Sequence, residues 1–284
     1  MTGLPVEELD GKLLEFLAED ASSRDVTTET TVPAGTRASG RLVAKSECVV
    51  SGLPVARRVF ELLDRALRWQ EEVAPGKKVA PGTTLARLHA EARALLTAER
   101  VALNLLQRMC GVATATRRYV AAVEGTGCRI LDTRKTAPGL RFFDRAAVRD
   151  GGGTNHRSDL SERVLIKDNH RRIAGGIRRA VEAARRGAPT GVRLEVEVES
   201  EGELREAIAA GADEILIDNQ TPQTVERFCR IARESAKPPS IEASGNIRLE
   251  NVRAYALAGP QAISVGALTH SVAAADISLE IEPS

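Results

Sequence analysis

"RLEVEVESEGELREAIAAGADEILIDNQ", residues 193–220, decides how the chain folds. An apolar run alternating with glutamates is followed by the helical run "ELREAIAAGA" and a second apolar run, "EILIDNQ". Together they make one strand–helix–strand unit. Both apolar runs turn polar only at their C-terminal ends, at Glu197 and Glu199 and then at Asp218 and Asn219. The unit recurs on either side. "CRILDTRK" and "RVLIKDNH" precede it with the helix "RIAGGIRRAVEAARRGA"; "TVERFCRIAR", "SIEAS", "RLENVRAYALAG" and "AISVGAL" follow it. Glu197, Asp218, Ser244 and Gly266 lie 21, 26 and 22 residues apart, and each spacing fits one strand and one helix. Alternation of this kind means a parallel sheet. No GxGxxG follows a strand, so an α/β barrel is expected in preference to an open dinucleotide-binding sheet.

Before residue 128 the rhythm differs. Leucines at helical spacing over residues 4–17 predict a helix. "RASGRLVAKSECVVSG" reads as a strand pair and "LPVARRVFELLDRAL" as a helix. "VAPGKKVAPGTTLARLHA" has two Pro-Gly turns between short strands; without a Met-Lys-Met-like tip it is a poor match to a biotinyl or lipoyl module. A long amphipathic helix, "AEARALLTAERVALNLLQRMCG", is expected to end at Gly111. These elements predict an N-terminal α+β layer of roughly the first hundred residues.

Composition narrows the function. Net charge is +1 and aromatics are 3%, which speaks against nucleic-acid binding. No apolar run is long enough to span a membrane, and the acidic, amphipathic N-terminus is unlike a signal peptide, so a cytoplasmic protein is expected. The four cysteines form no CxxC pair, which fits a reducing compartment and argues against zinc or a disulfide framework. Charge is unevenly spread. Residues 129–179 carry thirteen Lys/Arg against six Asp/Glu, and residues 195–250 carry thirteen Asp/Glu against six Lys/Arg. Beyond solvated helix faces, this pattern suits a basic wall for an anion opposite an acidic wall for a cation.

The strand ends carry that division in order. Asp132, Arg134 and Lys135 come first, then Lys167, Asp168 and Asn169. Glu197 and Glu199, Asp218 and Asn219, Glu242, Ser244 and Gly245, and finally Gly266 follow. One ligand set explains it: an anionic acceptor, a metal-bound diphosphate and a terminal phosphate. Arginine forks match carboxylates, carboxylates hold Mg²⁺ beside phosphates, and "ASGNI" before a helix is a phosphate-binding turn. Each group also has a structural reading. Asp132 can serve only to orient Arg134, Glu195 can belong to a salt-bridge network lower in the barrel, and His156 can be a satisfied core histidine. Four successive strand ends of one polarity favour a ligand site.

"LDTRKTAPGLR", "GGGTNHRSDLSERVLIKDNH", "LEVEVES", "ILIDN", "IEASGNI" and "ISVGALTHS" resemble quinolinate phosphoribosyltransferase, also called nicotinate-nucleotide pyrophosphorylase (carboxylating). "LAEDASSRDVTTETTVP" and "LLTAERVALNLLQRMCGVAT" are similar to its N-terminal part, so the resemblance spans nearly the whole chain. It implies an N-terminal α/β sandwich, residues 1–112, and an incomplete, six- or seven-stranded α/β barrel, residues 113–271, with the tail 272–284 packed back on the first. It implies transfer of phosphoribosyl from phosphoribosyl pyrophosphate to quinolinate with Mg²⁺, giving nicotinate mononucleotide, pyrophosphate and CO₂ for NAD synthesis. A homodimer or higher homo-oligomer with a shared active site is also implied. By the same resemblance Arg134, His156, Arg157 and Lys167 bind the quinolinate carboxylates, and Arg100 reaches in from the partner subunit. Lys135, Glu197 and Asp218 are the implied catalytic residues, the last two flanking ribose and metal, directly or through water. Ser244, Gly245 and Gly266 hold the 5-phosphate. Three positions depart from the family pattern: Arg24 and Asp159 where glycine is usual, and Asp150 where cysteine is usual. The rival readings are a phosphoribosyltransferase with another acceptor, molybdenum-associated (ModD-like) or nicotinate-using, and a non-catalytic phosphometabolite-binding protein.

Overall fold

The computed structural model describes residues 5–20 and 22–283, so Leu4 of the first leucine pattern lies outside the described residues. The chain forms two compact units. The first holds the chain through Arg117, Thr136–Gly152 and the segment from Leu268 on; the second holds Arg118–Lys135 and Gly153–Ala267.

In the first unit, the strands β1 (Arg37–Ala44), β2 (Cys48–Val49), β3 (Arg68–Glu71), β4 (Lys78–Val79) and β5 (Thr84–Glu91) follow the alternation and Pro-Gly turns of the sequence. β3, β5 and β1 form an antiparallel sheet whose last strand is the chain's own end, Ile277–Pro283, paired with β1 at Leu42↔Leu279. β2 and β4 pair separately. Helices Val6–Glu19, Leu53–Leu63, Ala92–Ala122 and Arg141–Asp150 contribute Leu13, Phe60, Leu106 and Phe143 to one core with Leu42 and Leu88 of the sheet. Burial of this apolar surface is the main stabilising term.

The 31-residue helix Ala92–Ala122 differs from expectation. Gly111 does not end it, and the anticipated boundary at residue 112 falls inside it. Gly111 serves close approach instead: a Cβ there would lie 2.3 Å from the Ala273 carbonyl oxygen. The glycine lets the closing segment run against the helix, where the Ala275 N–H donates to Gln107 O.

In the second unit, the strands β6 (Arg129–Leu131), β7 (Val164–Ile166), β8 (Leu194–Val198), β9 (Glu214–Asp218), β10 (Ser240–Ser244) and β11 (Ala262–Ser264) form a parallel sheet in the order β6-β11-β10-β9-β8-β7. Among the described residues no ladder joins β7 to β6, so the barrel is incomplete. A single parallel bridge, Leu131↔Thr154, extends the β6 edge. Parallel pairing puts all six C-terminal strand ends on one rim, where α/β folds gather functional groups. Two helical runs are shorter than the sequence suggests. The expected helix 172–188 is broken at Gly175 and Gly176 (φ 82° and 124°) into Asp168–Ala174 and Ile177–Gly187. The helix expected from Arg248 begins only at Val252. No helix among the described residues is long and apolar enough to cross a membrane.

Gly111→Ala should therefore destabilise the protein by about 1–3 kcal/mol, the usual range for forcing atoms into a packed site, although alanine is the better helix former. A lowered urea midpoint at unchanged m-value is the expected result; an unchanged or raised midpoint would contradict this packing account.

Candidate active site

The basic half of the rim begins just past β6. Arg134 is half-buried, and its Nε is buried without an acceptor. Arg157 is 8% exposed, and its Nη1 donates to the Arg163 carbonyl at 2.8 Å. Burial first, and then the charge of Arg134, push the Arg157 guanidinium down from its ordinary pKa. Two guanidinium groups repelling each other in partial burial, one with a donor unfilled, call for an anion. Lys167 lies just beyond β7 as the N-cap of Asp168–Ala174, with Nζ 3.3 Å from Glu197 Oε2. Lys135 is exposed.

The turn carrying Arg157 is anchored from β6. Asp132, 1% exposed, accepts from the His156 N–H at Oδ1 and from Asn155 Nδ2 at Oδ2, both at 2.6 Å. Its work is thus to hold the Asn-His-Arg turn, a broader role than orienting Arg134. His156 is buried, and its Nδ1 accepts the Arg157 N–H at 2.7 Å. Its Nε2 lies 3.5 Å from both Glu195 Oε2 and Glu242 Oε2. The Nε2 edge of the ring therefore faces the buried glutamates. Burial opposes a charge on His156, but Glu195 and Glu242 outweigh it and its pKa is raised. A donor aimed at Nδ1 requires that nitrogen unprotonated, so the neutral ring carries its proton on Nε2.

The acidic half lies opposite in sequence order. Ligand atoms of Glu197, Glu199 and Asp218 converge to within 4.8 Å of one another. Burial raises the pKa of Asp218, and the neighbouring Glu197 charge adds to it, against the opposing charges of Lys167 and Lys135. Three convergent carboxylates are a fitting donor set for a hard divalent cation such as Mg²⁺. Glu199, among the strand-end carboxylates of the sequence although the family resemblance gave it no role, belongs to this set. Asn219, at φ 53°, donates from Nδ2 to Asp218 Oδ2 at 2.7 Å.

Ser244 ends β10, and Gly245 follows at φ 89°. A Cβ on Gly245 would lie 2.2 Å from Asn219 Oδ1 and 2.7 Å from Asn219 N. Only glycine lets this turn close on the residue that holds Asp218. The Asn219 N–H donates to Ser244 O, and Asn246 Nδ2 donates to Asn219 Oδ1. The expected helix N-terminus behind this turn is absent, because six residues separate Gly245 from Val252. Any anion here would meet turn N–H groups and the Ser244 hydroxyl rather than a helix dipole. Gly266 follows β11 immediately before the short helix Ala267–His270.

Arg100 stands exposed on the helix Ala92–Ala122 of the other unit. The three family departures have local structural explanations. The Asp150 carboxylate accepts from Ser51 Oγ at 2.6 Å. Asp159 closes its own turn with Ser158 and Ser161, which hold its pKa down at about 2. Arg24 is exposed in a 3-10 turn just before Asp25, the N-cap of Val26–Thr31.

The chain matches the family model for the quinolinate phosphoribosyl transferase C-terminal domain over residues 112–280 and that for its N-terminal domain over residues 25–110. It is 42% identical over 274 residues to the probable nicotinate-nucleotide pyrophosphorylase [carboxylating] of Bacillus subtilis, covering 96% of this chain and 93% of that one. It is 42% identical over 264 residues to the nicotinate-nucleotide pyrophosphorylase [carboxylating] of Mycobacterium leprae, covering 90% and 91%. The crystal structure of NadC from Streptococcus pyogenes superposes with a TM-score of 0.94 at 36% identity, covering 100% of both chains.

Burial, and then the charge of Glu195, push Glu242 up to about 7 from its ordinary 4.5. A carboxyl raised on folding adds stability while it is protonated and loses that contribution as pH rises from its unfolded to its folded pKa. Glu242→Gln has no such loss. Its melting temperature relative to the parent should be higher at about pH 8 than at about pH 5. A difference independent of pH would refute the shift.

Proposed function

The chain belongs to the quinolinate phosphoribosyl transferase family, and on that premise we propose how its strand-end residues divide the work. The activity is transfer of phosphoribosyl from phosphoribosyl pyrophosphate to quinolinate with decarboxylation, giving nicotinate mononucleotide, pyrophosphate and CO₂ in NAD biosynthesis. Arg134, His156, Arg157 and Lys167 form the side of the site that receives the two acceptor carboxylates. The observation that carries this assignment is the mutually repelling Arg134 and Arg157, with the Arg134 Nε unfilled. Planar forks give each carboxylate a fixed orientation, whereas Lys167 supplies a point charge. Lys167 is held by Glu197 at 3.3 Å, so an arriving anion competes for it and leaves Glu197 freer to act on the donor.

Transfer at the anomeric carbon develops oxocarbenium character. Glu197 and Asp218 are suited to stabilise that charge; burial, and then the Glu197 charge, raise the pKa of Asp218, which a bound cation would offset. Glu197, Glu199 and Asp218 would hold Mg²⁺, directly or through water. When bound, the ion neutralises the leaving diphosphate. Lys135 lies toward the diphosphate and acceptor. Ser244, Gly245 and Gly266 offer hydroxyl and backbone N–H groups to the 5-phosphate. Once ribosylated, the pyridinium nitrogen stabilises the electron pair left on the adjacent carbon as the C–C bond breaks and CO₂ leaves, and a proton from solvent then takes the carboxylate's place on that carbon. No side chain serves as a covalent nucleophile. The free, buried cysteines agree with a cytoplasmic setting.

Purified protein given quinolinate, phosphoribosyl pyrophosphate and Mg²⁺ should release CO₂ and nicotinate mononucleotide in equal amounts, and neither when the metal is chelated. Nicotinate used in place of quinolinate, with no CO₂ evolved, would point to the altered-acceptor reading. We further propose a homodimer in which the exposed Arg100 completes the neighbour's acceptor pocket. Arg100→Ala and Lys135→Ala should each be nearly inactive and should recover activity when subunits are exchanged between them; exchange without recovery would refute sharing.

A further inference from the structure

We infer that Glu195 and Glu242 are positioning residues that act through His156 and Arg163 to aim Arg157 at the acceptor carboxylate. This rests on the assignment of Arg157 as an acceptor ligand above. Glu195 is fully buried on β8 and Glu242 is 5% exposed on β10. Neither oxygen of Glu195, nor Oε1 of Glu242, has a hydrogen-bond partner among the described residues. Buried carboxylates so poorly satisfied are costly, and neither belongs to the rim set of Glu197, Glu199 and Asp218.

Their neighbours explain the placement. Glu195 Oε2 stands 3.5 Å from His156 Nε2 and 3.6 Å from Arg163 Nη1. His156 and Arg163 are the two groups that hold Arg157. The imidazole Nδ1 takes its backbone N–H at 2.7 Å, and the Arg163 carbonyl takes its Nη1 at 2.8 Å. Glu242 Oε2 meets the same His156 Nε2 at 3.5 Å, so the ring edge is flanked by two carboxylates. Arg163 is fixed further by its ion pair with Glu214. Both ends of Arg157 thus lean on a pair of glutamates behind it. The same three ligand atoms would suit a metal ion by proximity. The hydrogen bond into Nδ1 opposes that use, because it leaves the ring proton on Nε2, where a metal would need a lone pair.

The test compares Glu195→Gln, Glu242→Gln and Arg157→Lys, singly and with each glutamine variant added to Arg157→Lys. Each glutamine variant should raise the quinolinate KM about tenfold while the KM for phosphoribosyl pyrophosphate stays within about twofold, since displaced positioning groups act on their own ligand. In the Arg157→Lys background the same glutamine substitutions should change the quinolinate KM by less than about twofold, because residues acting through one group are not additive. Equal effects in both backgrounds, or equal rises for both substrates, would reduce the glutamates to general structural support and overturn the inference. A stoichiometric transition metal, found by elemental analysis of the parent and lost from Glu242→Gln, would overturn it in favour of a metal site. If Arg157→Lys alone leaves the quinolinate KM unchanged, the assignment of Arg157 fails and the inference with it. If Arg157→Lys raises that KM but neither glutamine variant does, only the inference fails. Should Glu195→Gln not fold, Glu242→Gln alone decides.

Discussion

The rim gathers like charges that the protein's own ion pairs, such as Lys167 with Glu197, offset only in part. Burial and then the charge of Arg134 depress the pKa of Arg157 on one side, and burial and then the charge of Glu197 raise that of Asp218 on the other. Like charges gathered in partial burial destabilise the fold unless counterions arrive. A substrate pair with two carboxylates and several phosphates supplies anions to the basic side, and the proposed Mg²⁺ would supply the opposite sign to the other. Binding energy is thereby stored in the free protein as unfilled positions, and the site is preorganised for charge before any ligand enters.

Such a site needs stiff support, and the barrel interior provides it. Asp132 just past β6, Glu195 on β8 and Glu242 on β10 all bear on the Asn155–Arg157 turn, directly or through His156. A turn outside regular structure is therefore fixed from three strands. On the donor side, Gly245 plays the corresponding part. Its missing Cβ lets the turn after β10 close on Asn219, which in turn holds Asp218. Positioning in both halves comes from side-chain and turn contacts more than from helix dipoles.

Much of this was legible in the sequence. Apolar runs with polar C-terminal ends at intervals of 21 to 26 residues can be satisfied only by parallel strands with helical crossovers. That rule brought the ends carrying Arg134, Lys167, Glu197, Asp218 and Ser244 to one rim, and their order of sign made the ligand's charge pattern readable. Period-two alternation likewise put Glu195, Glu197 and Glu199 on one side of β8. Less legible were element ends. The true helix start at Val252 and the break at Gly175–Gly176 depend on local turn geometry that periodicity does not report. Gly111 looked like a helix stop because its function, contact with the Ala273 backbone, links residues far apart in the chain.

By itself, then, the sequence determined the α/β class, the polarity of the strand ends and the chemistry of the residues there, because these follow from periodicity and residue type. Only tertiary structure decided which of those residues act on each other. The ring orientation of His156, the employment of Asp132 on the Asn-His-Arg turn and the entry of Glu199 into the carboxylate set are matters of distance between separate strands. So is the reduction of Asp150 and Asp159 to local hydrogen-bonding roles. Electrostatic and hydrogen-bond energies fall steeply with separation, and a one-dimensional pattern carries no separations between strands until the chain has folded.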